Sequence, residues 1–260
     1  MKKHYVYEGP FMMKNKEGEQ YKLTIRQDCD SENPREWYNV ATFVCFHRHY
    51  DLGDIYHYDD IHEALEALAQ DVGIEYEGKN TNELMVSLQY EHYCIKPLYL
   101  YDHSGITMST SHEYPYNDRW DAGCVGFAYI SKKVAFRELV NYVLDENGEK
   151  IKEEHNHENG QTTWGYKTEP LTEETWKKRA SEIIDNEVDT YDMYLRGEVY
   201  GYILKKEELI ETRCPHCNEL IESHTEWVEE DSCWGFYGDV LEDNGILDNL
   251  SNNLCFIKED

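Results

Sequence analysis

The chain has 260 residues, of which 53 are Asp or Glu and 25 are Lys or Arg, giving a formal net charge of −28 and a pI near 4.7. Such a field repels phosphate backbones and anionic lipid, which argues against direct nucleic-acid or membrane binding and leaves cations and basic protein surfaces as partners. The length permits one large domain or two small ones with a real core; no apolar run approaches the roughly 18 residues of a membrane span, and Met1 to Tyr5 do not lead into the apolar stretch of a signal peptide, so a soluble cytosolic protein is expected.

Residues 21–28 alternate Leu23 and Ile25 with polar neighbours, and 39–47 are dense in β-formers, so both read as strands. Between them Pro34 sits in a run of turn formers and predicts a loop. From Asp60 onward Ile61, Ala64, Leu65, Leu68 and Val72 recur at helical spacing, with Asp60 and Glu63 placed as a capping box and Gly73 as the stop. A second helix is expected from about Thr81 to Tyr90, then strands at 95–102, 105–110 and 123–131. The last of these has Gly and Ala where bulky residues would be expected, and a short helix at 132–140 follows.

Residues 145–170 are polar, hold two Asn-Gly turn signals and end at Pro170, which predicts an exposed hairpin or linker. Thr172 then precedes the longest helix, with Trp176, Ala180, Ile183, Ile184, Val188, Tyr191 and Leu195 as its apolar stripe and Gly197 as its stop. Two long β-rich runs follow, and a short acidic helical piece closes the chain. Strands and helices mix without βαβ alternation, so the expected class is α+β with a mixed or antiparallel sheet. One unit over 1–260 is expected, with 146–170 as the place where it would divide into 1–145 and 171–260.

Three local features bear on chemistry. The stretch FHRHYDLGDIYHYDD (46–60) carries His47, His49 and His57 beside Asp51, Asp54, Asp59 and Asp60. Imidazoles two apart on a strand share a face and carboxylates could complete a metal shell, so a metal-dependent enzyme of hydrolase or nuclease type is the alternative reading. No recognised ligand spacing is present, however, and a polar turn leading into an Asp-capped helix accounts for the same residues. The preferred reading assigns no catalytic residue. Asp102, His103 and Ser104 are consecutive on or near a strand and cannot converge as a triad. Asp145, Asn147, Gly148 and Glu154 resemble a calcium loop, but Val143 occupies the first ligand position.

The Cys214-Pro215-His216-Cys217 run is half of a zinc knuckle, which Cys233 and either His224 or Cys255 would close into a tetrahedron if the chain folds back as a hairpin. A structural zinc on these residues, or a pair of reduced thiols at a hairpin tip, are the two readings, and no other cofactor is expected.

Acid is concentrated in residues 48–91 and from Cys214 to the C-terminus. On the long helix Glu182, Asp185, Asp189 and Asp192 recur at three and four positions, an outward row spaced by roughly 5–6 Å. Glu229, Glu230, Asp231, Glu242 and Asp243 form the second concentration. Like charges so placed weaken a helix, which points to a use in binding. Duplex DNA presents one charge per about 1.7 Å of axis, so carboxylate rows on a rigid body could imitate a phosphate backbone.

The blocks NPREWYNVATFVCFHRHYDLGD, PLYLYDHSGITMST, VGFAYISKK, DTYDMYLRGEVYGYIL and DSCWGFYGD span about residues 33–238. Together they resemble a family of acidic proteins encoded by bacteriophages and related mobile elements. The resemblance implies an accessory protein acting inside a bacterium, and it supplies no catalytic residues. In that setting extreme acidity suggests, by analogy of charge, a DNA-mimicking anti-defence inhibitor whose partner is a host protein with a basic surface or nucleic-acid groove.

Overall fold

A computed structural model describes residues 3–54, 57–102, 105–111, 122–156, 162–250 and 254–257. In chain order it has strands β1 (Phe11–Lys14), β2 (Gln20–Gln27) and β3 (Thr42–Cys45), then helices α1 (Ile61–Asp71) and α2 (Thr81–Glu91). Strands β4 (Tyr93–Asp102), β5 (Ile106–Ser109) and β6 (Ala122–Ser131) follow, then helix α3 (Lys132–Glu138) and strand β7 (Val140–Tyr142). Next come β8 (Lys152–Asn156), β9 (Thr162–Tyr166), β10 (Thr168–Pro170) and helix α4 (Trp176–Leu195). The long strands β11 (Val199–Arg213) and β12 (Leu220–Tyr237), helix α5 (Ile246–Asn249) and β13 (Cys255–Phe256) complete it. Every pairing among these strands is antiparallel, which makes the fold α+β.

Two compact units emerge, residues 1–34 with 193–260, and residues 35–192. The stretch 146–170, expected as a hairpin or linker, lies inside the second unit, where β8 and β9 form a hairpin.

The second unit is built on the sheet β3-β6-β4-β5. Strand alternation divides its side chains between two faces. On one face Val44, Tyr93, Ile95 and Phe127 meet Ala64, Leu65, Leu68, Leu84 and Leu88 of α1 and α2. On the other, Phe43 lies edge-on to Tyr191 of α4, and the Cys94 thiol donates to the Lys177 carbonyl. The expected stripe of α4 is the buried one: Trp176, Ala180, Ile184, Val188 and Tyr191. At the start of α1 the Asp60 carboxylate accepts from Glu63 N–H as a cap should, while Glu63 takes the Asp59 N–H rather than that of Asp60. Both acidic residues therefore hold the helix start.

The first unit is the sheet β12-β11-β2-β1-β13, with Met13, Tyr21, Leu23, Tyr202 and Leu204 packed against Leu241, Ile246 and Leu250. Among the described residues no helix is long and apolar enough to cross a membrane.

Candidate functional site

Strand β11 pairs with β2 from Tyr200 opposite Gln27 as far as Lys206 opposite Tyr21. Beyond Lys206 its ladder continues, among the described residues, only with β12, from Glu207 opposite Trp227 to Arg213 opposite Leu220. The outcome is a two-stranded arm about 20 Å long at the usual rise of a strand. It carries Glu207, Glu208, Glu211, Glu219, Glu222 and Glu226 against a lone basic residue, Arg213. Glu208 and Glu226 stand directly opposite each other, an arrangement that weakens a ribbon. Leu209 and Ile221 are 62% and 65% exposed. A hairpin that leaves apolar side chains in water and juxtaposes like charges is poorly built for its own stability, since isolated two-stranded ribbons are marginal. Its surface suits contact with something else.

Sequence reading did not single out these arm glutamates. The signal available was two long β runs joined by CPHCNE, longer than any sheet partner within reach, which implies a projecting end. Of the residues it did single out, Glu229 and Glu230 lie exposed near the arm base, where a register irregularity falls between Leu204 and Lys205. Asp231 accepts the Tyr202 hydroxyl at 2.6 Å, and burial, with this carboxylate second, holds that phenol well above its usual range. Glu242 accepts from His4 through the backbone N–H at 3.0 Å and the ring Nδ1 at 2.6 Å, while Asp243 pairs with Lys3. These last two tie the ends of the first unit together.

The row on α4, expected to face outward, is also engaged with neighbouring side chains. Glu182 pairs with Arg179, and Asp185 with both Lys96 of β4 and the Thr110 hydroxyl. Asp192 accepts from the Thr107 hydroxyl and from Met108 N–H of β5. The physical reason is that β4 and β5 present donors to this flank of the helix, so Asp185 and Asp192 turn to the sheet while Glu182 stays with Arg179 on the helix itself. Asp189 sits between them, and its carboxyl is pushed up by partial burial and then by the charges of Asp185 and Asp192, Lys96 offsetting part.

A carboxyl raised in the folded state favours folding below its unfolded pKa, and that contribution is lost as pH rises through the folded pKa. At neutral pH the Asp189 charge is therefore a cost. Asp189→Asn should raise the thermal midpoint at neutral pH by the equivalent of less than about 1 kcal/mol, given solvent screening. The gain should shrink as pH falls through the aspartate range in paired melts of parent and variant; a variant no steadier than the parent at neutral pH would contradict this.

The His/Asp stretch does not assemble. His47 stacks on Tyr50 and accepts from His49 N–H through Nδ1, while His57 is exposed. Asp54 is held by Arg35 and by Phe43 N–H, and Asp60 by the helix cap. Asp145 organises a hairpin turn by accepting from Asn147 and Glu149 N–H, bonds that keep its carboxyl below its ordinary value. Of the stretch 102–104, His103 and Ser104 lie outside the described residues.

The four proposed zinc ligands are not brought together either. Cys214 and Cys217 share the arm tip, but the ladder sets His224 opposite Ile210 and Cys233 opposite Tyr202. At the rise of a strand these are about 13 Å and about 40 Å from Cys214. Cys255 lies on β13, against β1. Among the described residues no group of three or more His, Cys, Asp or Glu is placed to hold a metal. In comparisons with protein-family models, with curated proteins and with solved structures, nothing matches this chain.

Proposed function

We propose that this chain is a non-enzymatic acidic inhibitor that lays its β11–β12 arm into the basic nucleic-acid channel of a host protein. In keeping with the resemblance to phage-encoded acidic proteins, that host is a bacterium and the target a nucleic-acid-handling or defence protein. The carrying observation is the arm: Glu207, Glu208, Glu211, Glu219, Glu222 and Glu226 against Arg213 on a ribbon with no third strand among the described residues. Over its roughly 20 Å this is about one net negative charge per 4 Å at strand rise. A duplex carries one per about 1.7 Å and each of its strands one per about 3.4 Å, so the arm imitates one strand better than two. Supporting this over a metal-dependent enzyme at residues 47–60, Asp54 and Asp60 are engaged in holding the fold.

The triple variant Glu207→Gln, Glu208→Gln, Glu226→Gln keeps size while removing charge from the arm. It should fold as the parent does and associate about tenfold more slowly at low salt with a host protein captured on the tagged parent, with dissociation changed less. Surface plasmon resonance of both proteins on that captured partner checks it; equal association rates would remove the arm from the interface. Neutralising Asp185 or Asp192 is a poor probe, because those groups hold β4 and β5.

A further inference from the structure

The arm tip holds a second feature that charge mimicry does not use. Cys214 N–H donates to the Glu219 carbonyl at 2.8 Å and Asn218 N–H to the Cys214 carbonyl at 2.9 Å, with Asn218 in the left-handed region at φ 56°. This closes a turn that begins at Cys214 and carries Cys217 three residues on. Both cysteines therefore sit within one reversal of the chain at the end of the arm. Cys217 donates to Glu219 at 3.5 Å, and the Arg213 guanidinium bridges Glu211 and the Asn218 carbonyl beside the thiols. A turn that only had to reverse the chain needs no pair of cysteines. Two cysteines three positions apart in a tight turn are the spacing with which a zinc knuckle chelates through two thiolates.

We propose that Cys214 and Cys217 are half of a tetrahedral four-thiolate zinc site, which the same pair from a second copy of this chain completes, tip to tip. Structural zinc takes four ligands at about 2.3 Å for sulfur. Each chain supplies two at this tip, and the ladder carries His224 and Cys233 away from it. A second copy offers an identical pair, so a two-fold axis through the metal makes the interface self-complementary. Pro215, His216 and Cys217 are exposed, leaving the approach open. Two arms end to end keep the acidic sheets about 40 Å apart at strand rise, several times the roughly 8 Å screening length at physiological salt. Binding releases the thiol protons to solvent.

Zinc-linked pairing at the tip does not depend on groove binding, because it needs only this chain and the metal. The test uses the full chain, stripped with a chelator and kept in a non-thiol reductant, titrated with zinc while its mass is followed by sedimentation equilibrium. The mass should rise from 30.9 kDa to twice that value, saturating at one zinc per two chains, and return to the monomer with chelator. Cobalt in place of zinc should give the absorption of a tetrahedral four-thiolate centre. Higher salt should tighten the dimer by screening the glutamates that the two tips bring together, Glu211 and Glu219 of each copy. Cys217→Ser should abolish metal uptake and mass doubling with an unchanged circular dichroism spectrum, while His216→Ala and His224→Ala retain both. One zinc per chain at constant mass, no zinc uptake, a dimer that survives chelation, or loss of the dimer in either histidine variant would overturn the proposal.

Discussion

Replacing Arg35 by Ala should destabilise the second unit by about 3 kcal/mol or more, the scale for removing one partner of a buried ion pair. The Arg35 side chain is 3% exposed and forms a fork onto Asp54, with Nε and Nη2 each 2.9 Å from one carboxylate oxygen. Its Nη1 reaches Glu187 of α4 at 2.9 Å, Nη2 also donates to the Ala41 carbonyl, and the guanidinium lies 3.7 Å from the centre of the Phe43 ring. The two carboxylates in turn accept the N–H groups of Phe43 and Val40, so one cation fixes the entry of β3 against α4. Without it, Asp54 and Glu187 face each other as partly buried like charges. Arg35→Lys should recover little, since an ammonium cannot serve the fork, the carbonyl and the ring together. Chemical denaturation of parent, Ala and Lys variants measures this, and a loss below about 1 kcal/mol for Arg35→Ala would contradict the role assigned to the guanidinium.

None of that network is legible in the sequence. Arg35 lies in a polar run without periodicity, and its partners are 19 and 152 residues away in sequence. Helices α1, α2 and α4 are legible because their apolar spacing and caps are local: Asp60, Gly73 and the stripe from Trp176 to Tyr191 act within a turn or two of themselves. Strands β1 and β13 are not, since an element of two to four residues gains its identity from the neighbour it pairs with, here Met13 against Phe256. The division into units escapes for the same reason: it joins both ends of the chain through β2 and β11, which no local composition announces. Acidic residues are visible as charge, but whether a carboxylate points to water or to Lys96 depends on a strand about ninety residues away.

One weak signal in β6 does carry structural content. Gly126 stands between β3 and β4, and a Cβ added there would lie 1.8 Å from the Val44 carbonyl oxygen and 2.8 Å from the carbonyl carbon. The obstacle is backbone of the neighbouring strand, which cannot rotate aside as a side-chain tip would. Gly126→Ala should therefore force β3 off the sheet, costing about 3 kcal/mol or more, the upper range for overpacking. At Gly123 in the same strand an added methyl would meet nothing within 4 Å, so Gly123→Ala should change stability by less than about 0.5 kcal/mol. Equal effects of the two substitutions in thermal melts would show that strand propensity, and not the close approach, decides the outcome.

The central claim is that carboxylates on the β11–β12 arm occupy a channel made for a nucleic-acid strand. The most direct measurement takes the complex of the tagged chain with its captured host protein and adds a labelled single-stranded oligonucleotide at several salt concentrations, following both ligands at equilibrium. The account predicts mutual exclusion: the oligonucleotide displaces the chain, the chain displaces the oligonucleotide, and both affinities fall steeply with salt. Simultaneous binding of chain and oligonucleotide, or an affinity for the chain indifferent to salt, would contradict it.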